Sequence, residues 1–211
     1  YTGPGSNATN VRIIPGTLTV ATGASFSFTA QALDASGAVV PNAPIVFTSN
    51  DVAVATINAA TGAGTAGSTR ATTTIIAQLL TGPSDDATLS VVPPPARIAL
   101  VSGGGQTANV NANLADPVVV RVTAADGVGA AGVPVTFAAA TGGGTVGTAS
   151  TTTDASGNAQ TTWRLGGTVG AQAMTASSPG LTGSPVTIGA SARALDPVRL
   201  IVATQPPAST Q

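Results

Sequence analysis

Ser25-Phe26-Ser27-Phe28-Thr29-Ala30-Gln31-Ala32-Leu33 alternates apolar and polar side chains. Successive side chains of an extended chain point to opposite faces, so Phe26, Phe28, Ala30 and Ala32 share one face and the hydroxyls and Gln31 take the other. The stretch predicts a strand with one buried side. Similar segments recur at Pro44–Thr48, Val52–Ile57, Thr72–Leu80 and Ala87–Val92, separated by Gly-rich or Asp/Asn-rich turns. No segment carries a convincing helical period.

The series stops at Pro93-Pro94-Pro95, which cannot donate ladder hydrogen bonds and favours stiff extended chain. It restarts at Arg97-Ile98-Ala99-Leu100-Val101. Further strands are expected at Pro117–Ala124, Val133–Ala138, Thr145–Thr151, Ala159–Leu165, Gln172–Ala176 and Pro185–Ala192. About seven short strands per half is the arithmetic of an immunoglobulin-like sandwich. The halves also echo each other: Pro44-Ile45-Val46-Phe47 follows Asp34-Ala35-Ser36-Gly37 as Pro134-Val135-Thr136-Phe137 follows Asp126-Gly127-Val128-Gly129. The expected fold is therefore all-β, two tandem immunoglobulin-like β-sandwiches. The expected divisions are an N-terminal extension at 1–9, one domain at 10–93, a second at 94–194, and at 195–211 a tail or the start of a third repeat. The last option rests on Arg199-Leu200-Ile201-Val202, which resembles Arg12-Ile13-Ile14 and Arg97-Ile98.

Composition narrows the chemistry. Only 7% of the 211 residues are charged, the seven basic residues are all Arg and the eight acidic residues all Asp, so Lys, Glu, His and Cys are missing. General acid–base catalysis near neutral pH draws mainly on the absent types. Zinc, haem and iron–sulfur sites take most of their ligands from His and Cys, which leaves only an oxygen-ligated ion such as calcium. A net charge of −1 with scattered Arg offers no field for a phosphate backbone. No apolar run approaches a membrane span, and Tyr1–Gly5 lacks the basic start and apolar stretch of a signal peptide, so any export signal is expected upstream. The lack of Cys fits a secreted protein without disulfides and a reduced cytosolic one equally.

Residues 10–93 resemble the group 2 bacterial immunoglobulin-like domain. The likeness is carried by Leu18-Thr19-Val20-Ala21-Thr22-Gly23, Phe47-Thr48-Ser49-Asn50 and Val54-Ala55-Thr56-Ile57 leading to Thr61-Gly62, with Phe47 in place of the family's more usual Trp. The second half, about 96–194, is similar to the group 1 domain of invasin and intimin adhesins. There the marks are Gly103-Gly104-Gly105-Gln106, Val118–Thr123, Gly132-Val133-Pro134-Val135-Thr136-Phe137 and Thr153-Asp154-Ala155-Ser156-Gly157-Asn158-Ala159. The resemblance implies sandwich architecture and a surface location, with no shared active site.

Several single residues have ordinary structural roles as rivals to functional ones. Asp34-Ala35-Ser36-Gly37 and Asp154-Ala155-Ser156-Gly157 are identical and suggest an aspartic-protease dyad, but each carries an extra Ala against the Asp-Thr/Ser-Gly pattern and they fall in different domains. A turn in which Asp bonds forward to the backbone accounts for both. Asp85-Asp86 could contribute to calcium binding, yet no loop supplies the remaining oxygens, and a solvated hairpin tip is expected. Asp51, Asp116 and Asp196 read as turn residues, and Trp163 as core with a surface contact as the rival. Asn7-Ala8-Thr9 matches a glycosylation acceptor by coincidence, given a bacterial resemblance.

No catalytic, cofactor-binding or metal-binding residue is therefore expected, and no cofactor. The sequence reads as a non-catalytic structural or adhesive module of a periplasmic, cell-surface or extracellular bacterial protein. Its expected partners are proteins, either neighbouring copies or a membrane complex, and not nucleic acid. The alternatives are a scaffold subunit docked on the periplasmic or outer face of a larger membrane complex and, more remotely, a glycan-binding module. A weakly charged surface suits a module packed against neighbours, where burying charge would be costly.

Overall fold

A computed structural model describes residues 5–80 and 82–195. Asp196 and the Arg199–Val202 repeat start fall outside them. Contacts divide the described residues into two compact units: those up to Ala96 together with Thr123–Val128, and Arg97–Val122 together with those from Gly129 onward. Every regular element among the described residues is a β-strand.

The first unit contains β1 (Asn10–Ile14), β2 (Thr17–Ala21), β3 (Ser25–Ser27), β4 (Thr29–Leu33), β5 (Ile45–Ser49), β6 (Ala55–Ile57), β7 (Ala63–Ala66), β8 (Ala71–Leu79) and β9 (Ser84–Val92). A four-stranded sheet runs β2-β9-β8-β5; β3-β7-β6 and the pair β1-β4 supply the opposing layer. The alternation read from Ser25 to Leu33 holds, with Phe26, Phe28 and Ala32 buried and Ser25, Ser27, Thr29 and Gln31 exposed. The stretch is nonetheless two strands. The Phe28 amide donates to Gly62 O at 2.9 Å instead of to a ladder partner. Thereafter β3 pairs with β7, while β4 pairs with β1. The Phe28 ring is edge-on to Phe26 at 5.8 Å and 74°, and both pack with Phe47, Ile75, Leu79 and Leu89. Full burial of each such side chain contributes roughly 1.5–3 kcal/mol.

Two expectations in this unit need correction. Val52–Ile57 is not a single strand: Asp51 Oδ1 accepts the Ala53 amide at 2.9 Å and Asp51 O accepts the amides of Val54 and Ala55, so the chain turns here and Val52 is 72% exposed. Asp85 and Asp86 are not at a hairpin tip. Both lie within β9, where Asp85 Oδ2 accepts the buried Ile13 amide at 2.9 Å and ties β1 to β9.

The second unit contains β10 (Pro95–Ser102) from Arg97 on, β11 (Thr107–Asn109), β12 (Val118–Ala124) as far as Val122, β13 (Pro134–Thr141), β14 (Thr145–Val146), β15 (Ser150–Thr152), β16 (Asn158–Thr161), β17 (Trp163–Arg164), β18 (Gly170–Ser177) and β19 (Val186–Arg193). A five-stranded sheet, β11-β19-β18-β13-β15, faces a three-stranded one, β10-β12-β16, and β14 pairs with β17. The expected strand at Thr145–Thr151 is broken. Gly147 and Thr148 leave the strand path, and the Thr148 amide is taken by the Thr161 hydroxyl at 2.9 Å. Trp163, Phe137, Met174, Leu165 and Ile188 fill the core with the valines of β12.

Both units share an arrangement of their terminal strands. Their first strands break after the opening segment, and the second piece joins the last strand in parallel: β2 with β9, and β11 with β19.

Candidate functional site

The two Asp-Ala-Ser-Gly segments form the same turn. Asp34 Oδ1 accepts the Ser36 amide (2.8 Å), the Ser36 hydroxyl (2.7 Å) and the Ala38 amide (3.0 Å). Asp154 Oδ1 accepts the amides of Ser156 (2.8 Å) and Asn158 (2.9 Å). Gly37 and Gly157 take φ of 83° and 82°, values that an L side chain avoids. The Ser36 hydroxyl first, then the backbone amides, hold the Asp34 carboxyl below its ordinary value. These carboxylates are turn fasteners. Asp126 follows suit, accepting the Val128 amide at 3.1 Å.

Trp163 is 1% exposed, so its indole is core and offers no stacking platform. Among the described residues, no three His, Cys, Asp or Glu side chains converge as metal ligands. Sequence reasoning missed the glutamines. Gln172 is buried and holds Gly166 at both N (2.8 Å) and O (3.2 Å) and Thr168 at O (2.7 Å). Gln106 pins Asp116 by its N (2.9 Å) and O (2.9 Å). For Gln172 the available signal was an isolated Gln in an Ala/Thr-rich strand.

The outward sheet faces are ordered and nearly uncharged. Strand pairing sets Thr17, Thr88 and Thr74 side by side in one row of the four-stranded sheet, and Thr19, Ser90 and Thr72 in the next. On the five-stranded sheet the rows are Thr187, Thr175 and Ala138, then Ser177, Thr136 and Ser150. Such rows present hydroxyls and methyls at strand spacing, about 4.8 Å.

A cleft of about 300 Å³ opens within the second unit where the edge strands β15 and β16 part. Its walls include Val119, Thr152, Asp154, Asn158, Ala159 and Gln160. Hydrogen bonds close it at both ends. At one end the Thr161 hydroxyl bridges the Thr148 amide (2.9 Å) and carbonyl (3.0 Å), and the Gly147 amide meets Thr162 O at 2.9 Å. At the other, Asp154 N donates to Asn158 O at 2.8 Å and Oδ1 takes the Asn158 amide back. Arg121 Nε clamps the hairpin tip through Ser156 O at 3.1 Å.

The antiparallel alternation decides which backbone groups face the gap. Val122 N donates to Gly157 O, so 120/159 and 118/161 are the hydrogen-bonded pairs and Gln160 turns its N–H and C=O to the free edge. Across the gap, the Phe137–Ala149 and Thr153–Val133 bonds likewise turn Ser150 and Thr152 outward. The cleft is an interrupted edge with donors and acceptors on both sides.

No protein-family model and no curated protein sequence matches the chain. Solved structures do. The Escherichia coli adhesin FdeC superposes with a TM-score of 0.54 at 17% identity, over 86% of this chain and 63% of that one. The fold is a tandem of immunoglobulin-like β-sandwiches. The Yersinia pseudotuberculosis adhesin InvE is matched at 18% identity and a TM-score of 0.44, over 90% of this chain and 61% of that one. Domains 4 and 5 of the S-layer protein SbsC are matched at 14% identity and a TM-score of 0.42, over 90% of this chain and 100% of that one. The immunoglobulin-like tandem thus spans about three-fifths of the two adhesin chains. No helix among its described residues is long and apolar enough to cross a membrane.

Proposed function

We propose that this tandem is a non-catalytic, load-bearing spacer of a bacterial cell-surface or extracellular protein. The parallel pairing of β2 with β9 and of β11 with β19 carries this reading. Tension applied through the chain ends pulls the N-terminal end of one partner against the C-terminal end of the other. The ladder is then loaded in shear, with its hydrogen bonds sharing the force, whereas an antiparallel hairpin pulled from its open end breaks them in turn. Nearly neutral outer faces agree with crowded packing beside neighbours, because little charge need be desolvated. Every Asp whose bonds are described above fastens a turn or a strand, which leaves little for acid–base chemistry.

A second reading, a scaffold docked on the outer face of a membrane complex, draws on the same neutral faces. Labelling of intact native cells with an antibody against the tandem separates the location from its rivals. Surface labelling without permeabilisation is expected. Labelling only after the outer envelope is opened would favour the scaffold, and labelling only after full lysis would defeat both.

A further inference from the structure

We propose that the cleft between β15 and β16 binds a single neutral sugar residue. This goes beyond the spacer role, which stands whether or not the cleft is occupied. Three observations select the ligand class. First, the cleft is closed at both ends by the Thr148–Thr161 and Asp154–Asn158 bonds, so an extended peptide adding to either edge has no path through it. A compact ligand needs none. Second, a volume of about 300 Å³ sits at the low end of small-molecule sites, roughly 300–1,000 Å³, and suits one pyranose ring.

Third, the lining matches a polyol. Gln160 and Thr152 offer backbone N–H and C=O groups, the side chains of Asn158 and Gln160 each offer an amide donor and acceptor, and Asp154 retains Oδ2 after spending Oδ1 on its turn. A sugar hydroxyl both donates and accepts, so it satisfies such a mixed set. Val119, half-buried on the outer face beside Gln160, gives the C–H face of the ring an apolar wall. The rival ligands fit poorly. A phosphate or carboxylate would meet the Asp154 carboxylate, and a calcium ion would find one free carboxylate oxygen where it takes six to eight ligands.

The test is amide-resolved NMR titration of the intact chain with D-glucose, D-galactose, D-mannose and N-acetyl-D-glucosamine in turn, and with an Ala-Thr hexapeptide as comparator. One of the sugars is expected to shift the Thr152, Asn158 and Gln160 amides saturably in the millimolar range, the affinity a site of one ring supports. Gln160→Ala should weaken that binding about tenfold and leave the unfolding temperature unchanged, because the side chain is exposed. Asn158→Ala is a second such variant. The proposal is overturned by no response to any of the four sugars at roughly 50 mM, by shifts that map elsewhere, or by a response to the peptide alone.

Discussion

Gly166→Ala is expected to unfold the second sandwich or to cost it more than about 3 kcal/mol, well beyond the ordinary effect of a single substitution. A Cβ on Gly166 would overlap Gly142 O, with Gly143 C at 2.5 Å and Gly142 C at 2.7 Å. These are backbone atoms, so no rotamer change relieves the overlap. Gly166 is also held at N and O by the buried Gln172 amide, so it cannot retreat without leaving buried polar groups unpaired. Gly189→Ala is the control: nothing lies within 4 Å of its Cβ, and the change should be neutral or slightly stabilising. Calorimetry of the two variants checks this, with the transition of the first sandwich as internal reference.

Trp163→Ala should destabilise the same sandwich by about 3–5 kcal/mol, the cost of emptying a large aromatic site in a packed core. Trp163 is among the largest fully buried side chains, and it shares its core with Phe137 and Met174 of the five-stranded sheet and with the valines of β12 in the facing one. Trp163→Phe should cost distinctly less. It keeps most of the ring volume, so the cavity it leaves is small. Urea unfolding followed by far-UV circular dichroism measures both changes. Equal losses for Ala and Phe would contradict the packing assigned to this side chain.

What could be read from the sequence was whatever depends on local pattern. The alternation at Ser25–Leu33 gave the buried face, and Asp34-Ala35-Ser36-Gly37 gave the turn, because an Asx bond and a positive φ are set within five residues. Trp163 was placed in the core by the area it buries. The misses share a tertiary cause. Nothing near Phe28 says that its amide will go to Gly62, 34 positions on, nor does anything near Thr17 name Thr88 as its parallel neighbour. Asp85 reads as a loop residue until Ile13 is known to approach it. The cleft was invisible for the same reason: it exists because two strands in different sheets fail to meet between Thr148 and Asp154. Likeness to two family groups likewise signalled the fold, while no family model matches the chain.

The load-bearing claim is tested most directly by single-molecule force spectroscopy of the chain held at its two ends. One distinct high-force rupture is expected for each sandwich. Val20→Pro should lower the first sandwich's rupture force and leave the second's unchanged, because it deletes a donor from the β2–β9 ladder. Extension of both sandwiches at low force without a rupture peak, or a peak indifferent to Val20→Pro, would contradict a spacer built to carry tension through its parallel terminal strands.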